Sequence, residues 1–331
     1  MPATRLLRPD ASGIAAAAAL LRQGGLVAFP TETVYGLGAD ATDSGAVAAL
    51  YAAKGRPAFN PLIAHLTGLE AALPQGRFDA AALELARAFW PGALTLVVPL
   101  APGATVCDLA RAGLDSVALR VPAHPLAHAM LAAAGRPIVA PSANRSGHVS
   151  PTAVAHVMAD LEGRIDAVID AGAAPIGLES TIIACLGGQP LLLRAGGVTR
   201  EAIEQVIGKI AEAPKNRSKD GSPQPLSPGL LASHYAPRAK LRLEARALRS
   251  GEAALLFGDA RPPGIESAPA VLDLSRKGDL AEAAANLFAH LRELDARLAG
   301  TSQPRIAVVP IPESGLGEAI NDRLRRAAAD R

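Results

Sequence analysis

Five clusters of polar side chains follow apolar runs in the first two thirds of the sequence, and each could bind a small polar ligand. The clusters are Thr31-Glu32-Thr33 with Tyr35; Lys54 and Arg56 with Asn60 and His65; Ser116 with Arg120; Ser142 and Asn144 with Ser146 and Ser150; and Ser180-Thr181 with Arg194. In α/β proteins, polar groups at the ends of apolar strands often converge on one cleft. The sequence therefore predicts a cleft rich in hydroxyls and cations.

Lys54 and Arg56 lie two residues apart at the end of a predicted helix. Cations at a helix C-terminus interact favourably with the helix dipole, so both can be ordinary solvated residues. They can also grip a phosphate, since lysine supplies a point charge and arginine a fork of donors. These residues alone leave both interpretations open.

Arg120 and Arg194 lie at the edges of apolar strands. A partly buried arginine needs an anionic partner, either a carboxylate of the protein or an anionic group of a ligand. His65, on another apolar strand, is either a core histidine or a ligand contact. The run from Pro141 to Gly147 is either an ordinary Asn/Ser turn or a cradle for an anion or ribose.

The segment from Pro30 to Asp40 follows a short apolar run and contains two hydroxyls, a carboxylate and two glycines, Gly36 and Gly38. We predict a polar loop whose glycines let the backbone approach a ligand closely. Residues 36–41 match G-x-G-x-x-A, but the match starts about seven residues after the predicted strand and opens no helix, so it is a weak dinucleotide signature.

Bulk composition excludes several classes of function. The net charge of +2 in 331 residues is too small for nucleic-acid binding by bulk electrostatics. At 3%, aromatic residues are too few for a base-stacking surface. Cys107 and Cys185 lack metal-ligand or disulfide-framework spacing and favour a reducing cytoplasm. No signal sequence or membrane span is apparent, so we expect a cytoplasmic protein.

Helices and strands alternate throughout the chain and predict the α/β class. Residues 1–210 are predicted to form a first domain, residues 211–237 a polar, proline-containing linker, and residues 238–331 a smaller second α/β domain. The pair His234-Tyr235 is unusual for a plain linker. A rigid aromatic side chain there suits a linker that folds over a ligand.

These residues resemble the Sua5/YrdC/YciO family in its two-domain Sua5 form. The similarity covers about residues 20–237, and the second domain is similar in position and length. The matching motifs are Pro30-Thr-Glu-Thr-Val-Tyr-Gly-Leu-Gly38, Lys54-Gly-Arg-Pro57 with Asn60-Pro-Leu62, Pro91-Gly-Ala-Leu-Thr95, Arg120-Val-Pro122, Ala140-Pro-Ser-Ala-Asn144 with Ser146-Gly147, Ser150-Pro-Thr152 and Glu179-Ser-Thr181.

The resemblance implies a twisted, mostly parallel sheet in a YrdC-like catalytic domain, a smaller Rossmann-like C-terminal Sua5 domain, and a linker that covers the active site. It also implies a nucleotidyltransferase that converts L-threonine, bicarbonate or CO2, and ATP to threonylcarbamoyl-AMP and pyrophosphate. This is the first step of the t6A modification of tRNA, and a separate threonylcarbamoyl transferase would receive the product. The alternative is an RNA-binding or regulatory member of the family. Weak or no direct nucleic-acid binding and no membrane association are expected.

The resemblance also implies roles for individual residues. Lys54 and Arg56 would be catalytic and would face the phosphates, helped by Mg2+ that arrives with ATP, and no metal site of the protein itself is expected. The residues expected to contact L-threonine are Thr33, His65, Arg120, Ala140 and Ser180. The residues expected to contact ATP are Lys54, Arg56, Asn60, Ser116, Ser142, Asn144, Ser150, Arg194 and Tyr235.

Two departures from the family pattern concern the ATP side. Ala195 replaces the usual proline of Leu-Arg-Pro-Gly, and this change is expected to loosen the loop that carries Arg194. Residues 230–233 lack the usual basic side chains, which leaves Tyr235 and His234 as the linker residues able to contact a ligand.

Overall fold

The computed structural model describes residues 3–57, 60–212 and 235–329. The described strands fall into two sheets. Those of the large sheet are β1 (Arg5–Leu7), β2 (Val27–Phe29), β3 (Gly36–Asp40), β4 (Ile63–His65), β5 (Leu94–Pro99), β6 (Ser116–Arg120), β7 (Ile138–Val139), β8 (Ala167–Ile169), β9 (Thr181–Ala184), β10 (Leu191–Arg194) and β11 (Ala211–Glu212). Those of the small sheet are β12 (Lys240–Arg242), β13 (Glu252–Leu256), β14 (Val271–Asp273) and β15 (Arg305–Val308).

Helices connect most of these strands. They are α1 (Ala11–Arg22), α2 (Ser44–Lys54), α3 (Leu69–Ala72), α4 (Ala80–Phe89), α5 (Asp108–Arg111), α6 (Pro125–Ala134), α7 (Val154–Leu161), α8 (Arg200–Ile207), α9 (Leu280–Arg297) and α10 (Leu316–Ala328), with a 3₁₀ turn at Ile265–Ser267. Aspartates at positions 10, 43, 79 and 279 cap α1, α2, α4 and α9, because each side chain accepts hydrogen bonds from first-turn amides. Gly55 ends α2 with a φ of 59°, a left-handed conformation that favours glycine.

The α/β class and the two-sheet architecture are confirmed. The order of the large sheet is β1-β8-β2-β3-β7-β4-β6-β5-β9-β10-β11. Among the described residues its pairings are mixed, five parallel and five antiparallel. The small sheet has the order β12-β15-β13-β14 and is parallel throughout, as a Rossmann-like sheet requires.

The two faces of the large sheet differ. One face packs in a continuous apolar core with α2, α4, α7 and α8. The other face is covered by α1 and α6 only over the β1-β8-β2-β7 part of the sheet. Over the rest of that face lies a small apolar cluster of Ile63, Val97, Ala118, Ile182, Ala184 and Leu193. The candidate site lies at the edge of this cluster.

The prediction that residues 30–40 form a loop is wrong for its second half. Gly36–Asp40 is β3, an antiparallel partner of both β2 and β7. A Cβ on Gly38 would lie 2.9 Å from Phe29, and one on Gly36 would lie 3.1 Å from the Cβ of Ala140. These glycines therefore serve close packing within the sheet and not the approach of a ligand.

The predicted linker lies mostly outside the described residues, and so does His234. Its first two residues, Ala211 and Glu212, form the edge strand β11 beside β10. The boundaries at residues 210 and 237 remain predictions. No helix in the described part of the chain is long and apolar enough to cross a membrane.

Candidate functional site

An open cavity gathers residues from eight separate segments of the chain. Its floor comes from the adjacent carboxyl ends of β4 and β6, where His65 and Arg120 lie side by side. The lining residues are Thr33, Val34, Arg56, Ile63, His65, Arg120, Ala140, Pro141, Ser142, Glu179, Ser180, Arg194 and Tyr235. Three arginines against one glutamate make this lining suited to an anionic ligand.

The guanidinium of Arg120 is held by a buried ion pair. Its Nη2 donates to Oε1 of Glu32 at 2.5 Å, and its Nε donates to the carbonyl of Gly92 at 3.2 Å. The second carboxylate oxygen of Glu32 accepts from the amide of Ala123. The Nη1 of Arg120 has no hydrogen-bond partner among the described residues and remains available for a ligand carboxylate.

The loop before β3 orients Thr33. The hydroxyl of Thr31 donates to the carbonyl of Val34 at 2.6 Å, accepts from two loop amides and lies 2.8 Å from the hydroxyl of Thr33. Tyr35 points away, into the core, where its hydroxyl donates to the carbonyl of Gly172. Its membership in the predicted polar cluster of this loop is therefore wrong, because the hydroxyl of Tyr35 is already bonded on the core side of the sheet.

His65 is buried and uncharged. Its Nδ1 donates to the carbonyl of Ile63 at 3.1 Å. Burial, reinforced by the positive charge of Arg120, lowers the pKa of His65 to about 3. At neutral pH the imidazole can therefore exchange hydrogen bonds with a ligand but cannot neutralise a phosphate.

Arg194 reaches the cavity because β10 is irregular. The register of β10 against β9 shifts between Leu192 and Arg194, so that Arg194 lies opposite Ile182 on the cavity side. Such a bulge re-aims a side chain that strict alternation would send into the core. Two guanidinium nitrogens of Arg194 donate to the carbonyl of Ser180, at 3.1 and 2.8 Å, and the hydroxyl of Ser180 lies 2.7 Å from that of Thr95.

Arg56 lines the cavity with part of its bonding capacity unused. Its Nη2 donates to the carbonyls of Asn60 and Pro61, at 3.3 and 3.1 Å. Its Nε is buried without a partner among the described residues, as is Oδ1 of Asn60. Burial lowers the pKa of Arg56 to about 10, so that it stays charged at neutral pH. A buried donor without a partner indicates a place for a ligand acceptor.

Lys54 lies behind the cavity wall and not in it. Its ammonium donates to the carbonyls of Ser142 and Asn144, at 2.5 Å each, and its own carbonyl accepts from the amide of Ser146. Burial, and then the charge of Arg56, hold the pKa of Lys54 well below its usual range. In this geometry Lys54 fixes the loop that presents Ser142, and it faces no position open to a phosphate.

Four other residues expected at ATP, Asn60, Ser116, Asn144 and Ser150, lie outside the lining. Ser150 is fully buried and donates to Oε1 of Glu179 at 2.6 Å. Asn144 is buried and donates to the carbonyls of Arg145 and His148, while its Oδ1 has no partner in the described part of the chain. Ser116 lies at the opposite end of β6 from Arg120, about 13 Å along the strand on the same face.

Some residues that hold the lining in place were not predicted from the sequence. Glu179 is predicted only as part of a motif. For Glu32 the sequence suggests that it orients its loop or balances a nearby arginine, and the structure shows the ion pair with Arg120. The signal for Arg323 was its position on the apolar stripe of α10, between Ile320 and Ala327, where a charged side chain is unexpected.

Comparison with known proteins shows the family of the chain. Residues 19–196 match the Sua5/YciO/YrdC family model, described as "telomere recombination", and residues 198–329 match the model of the threonylcarbamoyl-AMP synthase C-terminal domain. A threonylcarbamoyl-AMP synthase of Bacillus subtilis is 43% identical over 330 residues, covering 96% of this chain and 93% of that protein. One of Pyrococcus abyssi is 41% identical over 332 residues, covering 95% of this chain and 94% of that protein.

A solved structure gives the same result for the fold. The crystal structure of Pyrococcus abyssi Sua5 complexed with L-threonine superposes with a TM-score of 0.86 at 38% identity, covering 98% of this chain and 97% of that chain. Since both domain models match and whole-length relatives exceed 40% identity, the chain belongs to the Sua5/YciO/YrdC family in its two-domain form.

Proposed function

We propose that this protein is a threonylcarbamoyl-AMP synthase that joins L-threonine, bicarbonate or CO2, and ATP. The observation behind this proposal is the set of residues that line the cavity described above. All five residues expected at threonine line it, namely Thr33, His65, Arg120, Ala140 and Ser180, and four of those expected at ATP line it too, namely Arg56, Ser142, Arg194 and Tyr235.

The two ligand groups would lie on opposite sides of the cavity. The Nη1 of Arg120 suits the threonine carboxylate, since Glu32 fixes the guanidinium in place. Thr33, whose hydroxyl is oriented by Thr31, and neutral His65 suit the polar groups of threonine. Arg56 and Arg194 suit the phosphates, because Arg194 is buried, Arg56 is partly buried, and both cations line the cavity.

The reaction needs positioning more than a nucleophilic side chain. The threonine amine adds to the carbon of CO2 and loses a proton, which forms a carbamate. A carbamate oxygen then attacks the α-phosphorus of ATP, and the bond to the β-phosphate oxygen breaks to release pyrophosphate. Fixed cations that neutralise the phosphate charge are sufficient for such a transfer. A closed cavity would also keep water from the mixed anhydride.

Mg2+ would enter with ATP. In the described part of the chain no three His, Cys, Asp or Glu residues are grouped to hold a metal ion. The unpartnered amide oxygens of Asn60 and Asn144 are the kind of ligand that Mg2+ accepts alongside phosphate oxygens. The donor set therefore fits a magnesium ion carried mainly by the nucleotide, which would supply further neutralisation of phosphate charge.

The test is pyrophosphate release by the purified protein. With ATP, Mg2+ and bicarbonate, release should require L-threonine, and a threonylcarbamoyl-AMP product should be detected by mass spectrometry. L-Serine is the matched control substrate, because it differs from L-threonine only in lacking the methyl group. Release without threonine, or no release at all, would refute the proposal. In the proposed function, the threonylcarbamoyl-AMP product would pass to a separate transferase that acts on tRNA.

A further inference from the structure

Arg323 of α10, in the second domain, contacts two residues that line the cavity. Its side chain has no exposed surface. Its Nε donates to Oε2 of Glu179 at 2.9 Å, and its Cζ lies 5.2 Å from the centre of the Tyr235 ring. Glu179 and Tyr235 both line the cavity. Building on the proposed function, we propose that Arg323 is a positioning residue of the active site, supplied by the second domain.

Glu179 needs this cation to stay ionised. Burial alone would raise its pKa, but the charges of Arg323 and Arg194, with hydrogen bonds from Ser150 and Arg323, outweigh burial and hold the pKa at about 2. With both carboxylate oxygens occupied, by Ser150 and Arg323, the carboxylate has one orientation in the wall. It thereby fixes the strand start that carries Ser180.

The same guanidinium also fixes the loop after β10. Its Nη2 donates to the carbonyl of Ala195 at 2.9 Å. The next residue, Gly196, lies so close to the Glu179–Thr181 backbone that a Cβ would come within 2.3 Å of the Glu179 carbonyl oxygen. Arg323 thus joins two segments of the wall that meet beside Arg194.

Tyr235 is held between two helices of the second domain. Its ring stacks on Phe288 of α9, with centroids 5.5 Å apart and an angle of 23° between the planes, while Arg323 of α10 lies near the ring. Tyr235 has a φ of 63°, which non-glycine residues adopt only where the surroundings enforce it. The second domain therefore holds the ring of this cavity residue in place.

The test compares two substitutions on α10. Arg323→Gln removes the cation from the wall. Glu318→Gln, the matched control, removes a different interdomain ion pair, with Arg200, that lies outside the cavity lining. We expect Arg323→Gln to reduce kcat/KM for threonine roughly 10- to 100-fold, because misplaced wall groups lower the rate steeply. Glu318→Gln should remain close to wild type.

The pH profile separates positioning from a general structural role. Without the cation, burial should raise the pKa of Glu179 into the measurable range, so the activity of Arg323→Gln should fall from pH 8 to pH 5.5 more steeply than that of the wild type. Arg323→Lys, which keeps the charge, should restore a flat profile. A purely structural defect would lower activity equally at every pH.

Each outcome decides the question. If Arg323→Gln does not fold, the double variant Arg323→Gln/Glu179→Gln removes both buried charges and should fold, with a loss of activity no larger than that of Glu179→Gln alone. An Arg323→Gln enzyme as active as Glu318→Gln, or an additive double variant, would overturn the inference. A wild type that neither binds threonine in calorimetry nor releases pyrophosphate would instead overturn the proposed function.

Discussion

The two sides of the cavity differ in how completely their polar groups are satisfied. On the paired side, Arg120 has Glu32, Arg194 has the Ser180 carbonyl, and Glu179 has Arg323 and Ser150. On the open side, the Nε of Arg56 has no partner among the described residues, and neither have the amide oxygens of Asn60 and Asn144, which lie outside the lining. The paired side is preorganised before a ligand arrives, whereas the open side needs the ligand to complete its hydrogen bonds.

This difference predicts opposite effects of substitution. Removing a residue of the paired side leaves its partner buried and uncompensated, so stability and ligand binding should fall together. Removing Arg56 from the open side leaves little behind, so ligand binding should fall while stability does not. The four predictions below test this contrast, from the largest effect to the smallest.

Arg120→Gln should have the largest effect. The free energy of unfolding should fall by about 3–5 kcal/mol, since the carboxylate of Glu32 would stay buried without its cation. Threonine binding should weaken as well. Urea denaturation and calorimetry measure the two effects. In the control Arg120→Met/Glu32→Met, stability should recover while threonine binding does not; equal loss of stability in both variants would contradict the pairing argument.

His65 should make the protein sensitive to acid. Burial holds the pKa of His65 at about 3 in the folded protein, below its ordinary value of 6.5. The folded state therefore binds fewer protons than the unfolded state between these pH values, and stability falls as pH falls. From pH 7 to pH 4 the contribution is on the order of 3 kcal/mol. Urea denaturation across this range should show a smaller loss for His65→Gln. Parallel curves for the two proteins would show that His65 is not the group responsible.

Arg56→Ala should affect ATP and little else. Loss of a charged hydrogen bond to phosphate corresponds to about 1.5–3 kcal/mol, so the KM for ATP should rise roughly 10- to 100-fold. The melting temperature should stay level or rise, because a desolvated cation with an unpartnered Nε is removed. The unchanged KM for threonine is the internal control. An unaltered KM for ATP would mean that Arg56 is only a helix-end cation.

Lys54→Met should have the smallest effect on the substrates and a moderate one on the fold. The carbonyls of Ser142 and Asn144 would lose their donor, which costs about 1–3 kcal/mol of unfolding free energy. Thermal denaturation and steady-state kinetics measure the outcome. Normal stability together with abolished pyrophosphate release would restore the prediction that Lys54 faces the phosphates.

The alternation of helix and strand patterns and the polar clusters at strand ends predicted the α/β class and a polar cleft, because these signals are local. The strand β3 was not predicted, because its glycines are required by close packing against Phe29 and Ala140, and this packing is not visible in the local sequence. The identity of the cavity residues was equally accessible, since the motif residues carry it. The sequence could not predict which of these residues line the cavity and which support its wall, as the buried hydrogen bonds of Lys54 and Ser150 show.

The sequence by itself determined the chemistry of the site: hydroxyls, arginines and one histidine, each placed at the end of an apolar strand. Only the tertiary structure decided which charges cancel and which remain for a ligand. Glu32 and Arg120 are 88 residues apart, and Glu179 and Arg323 are 144 apart. The energy of a charge pair depends on the distance between the two charges in space and on their burial, and neither can be read from their separation in the sequence.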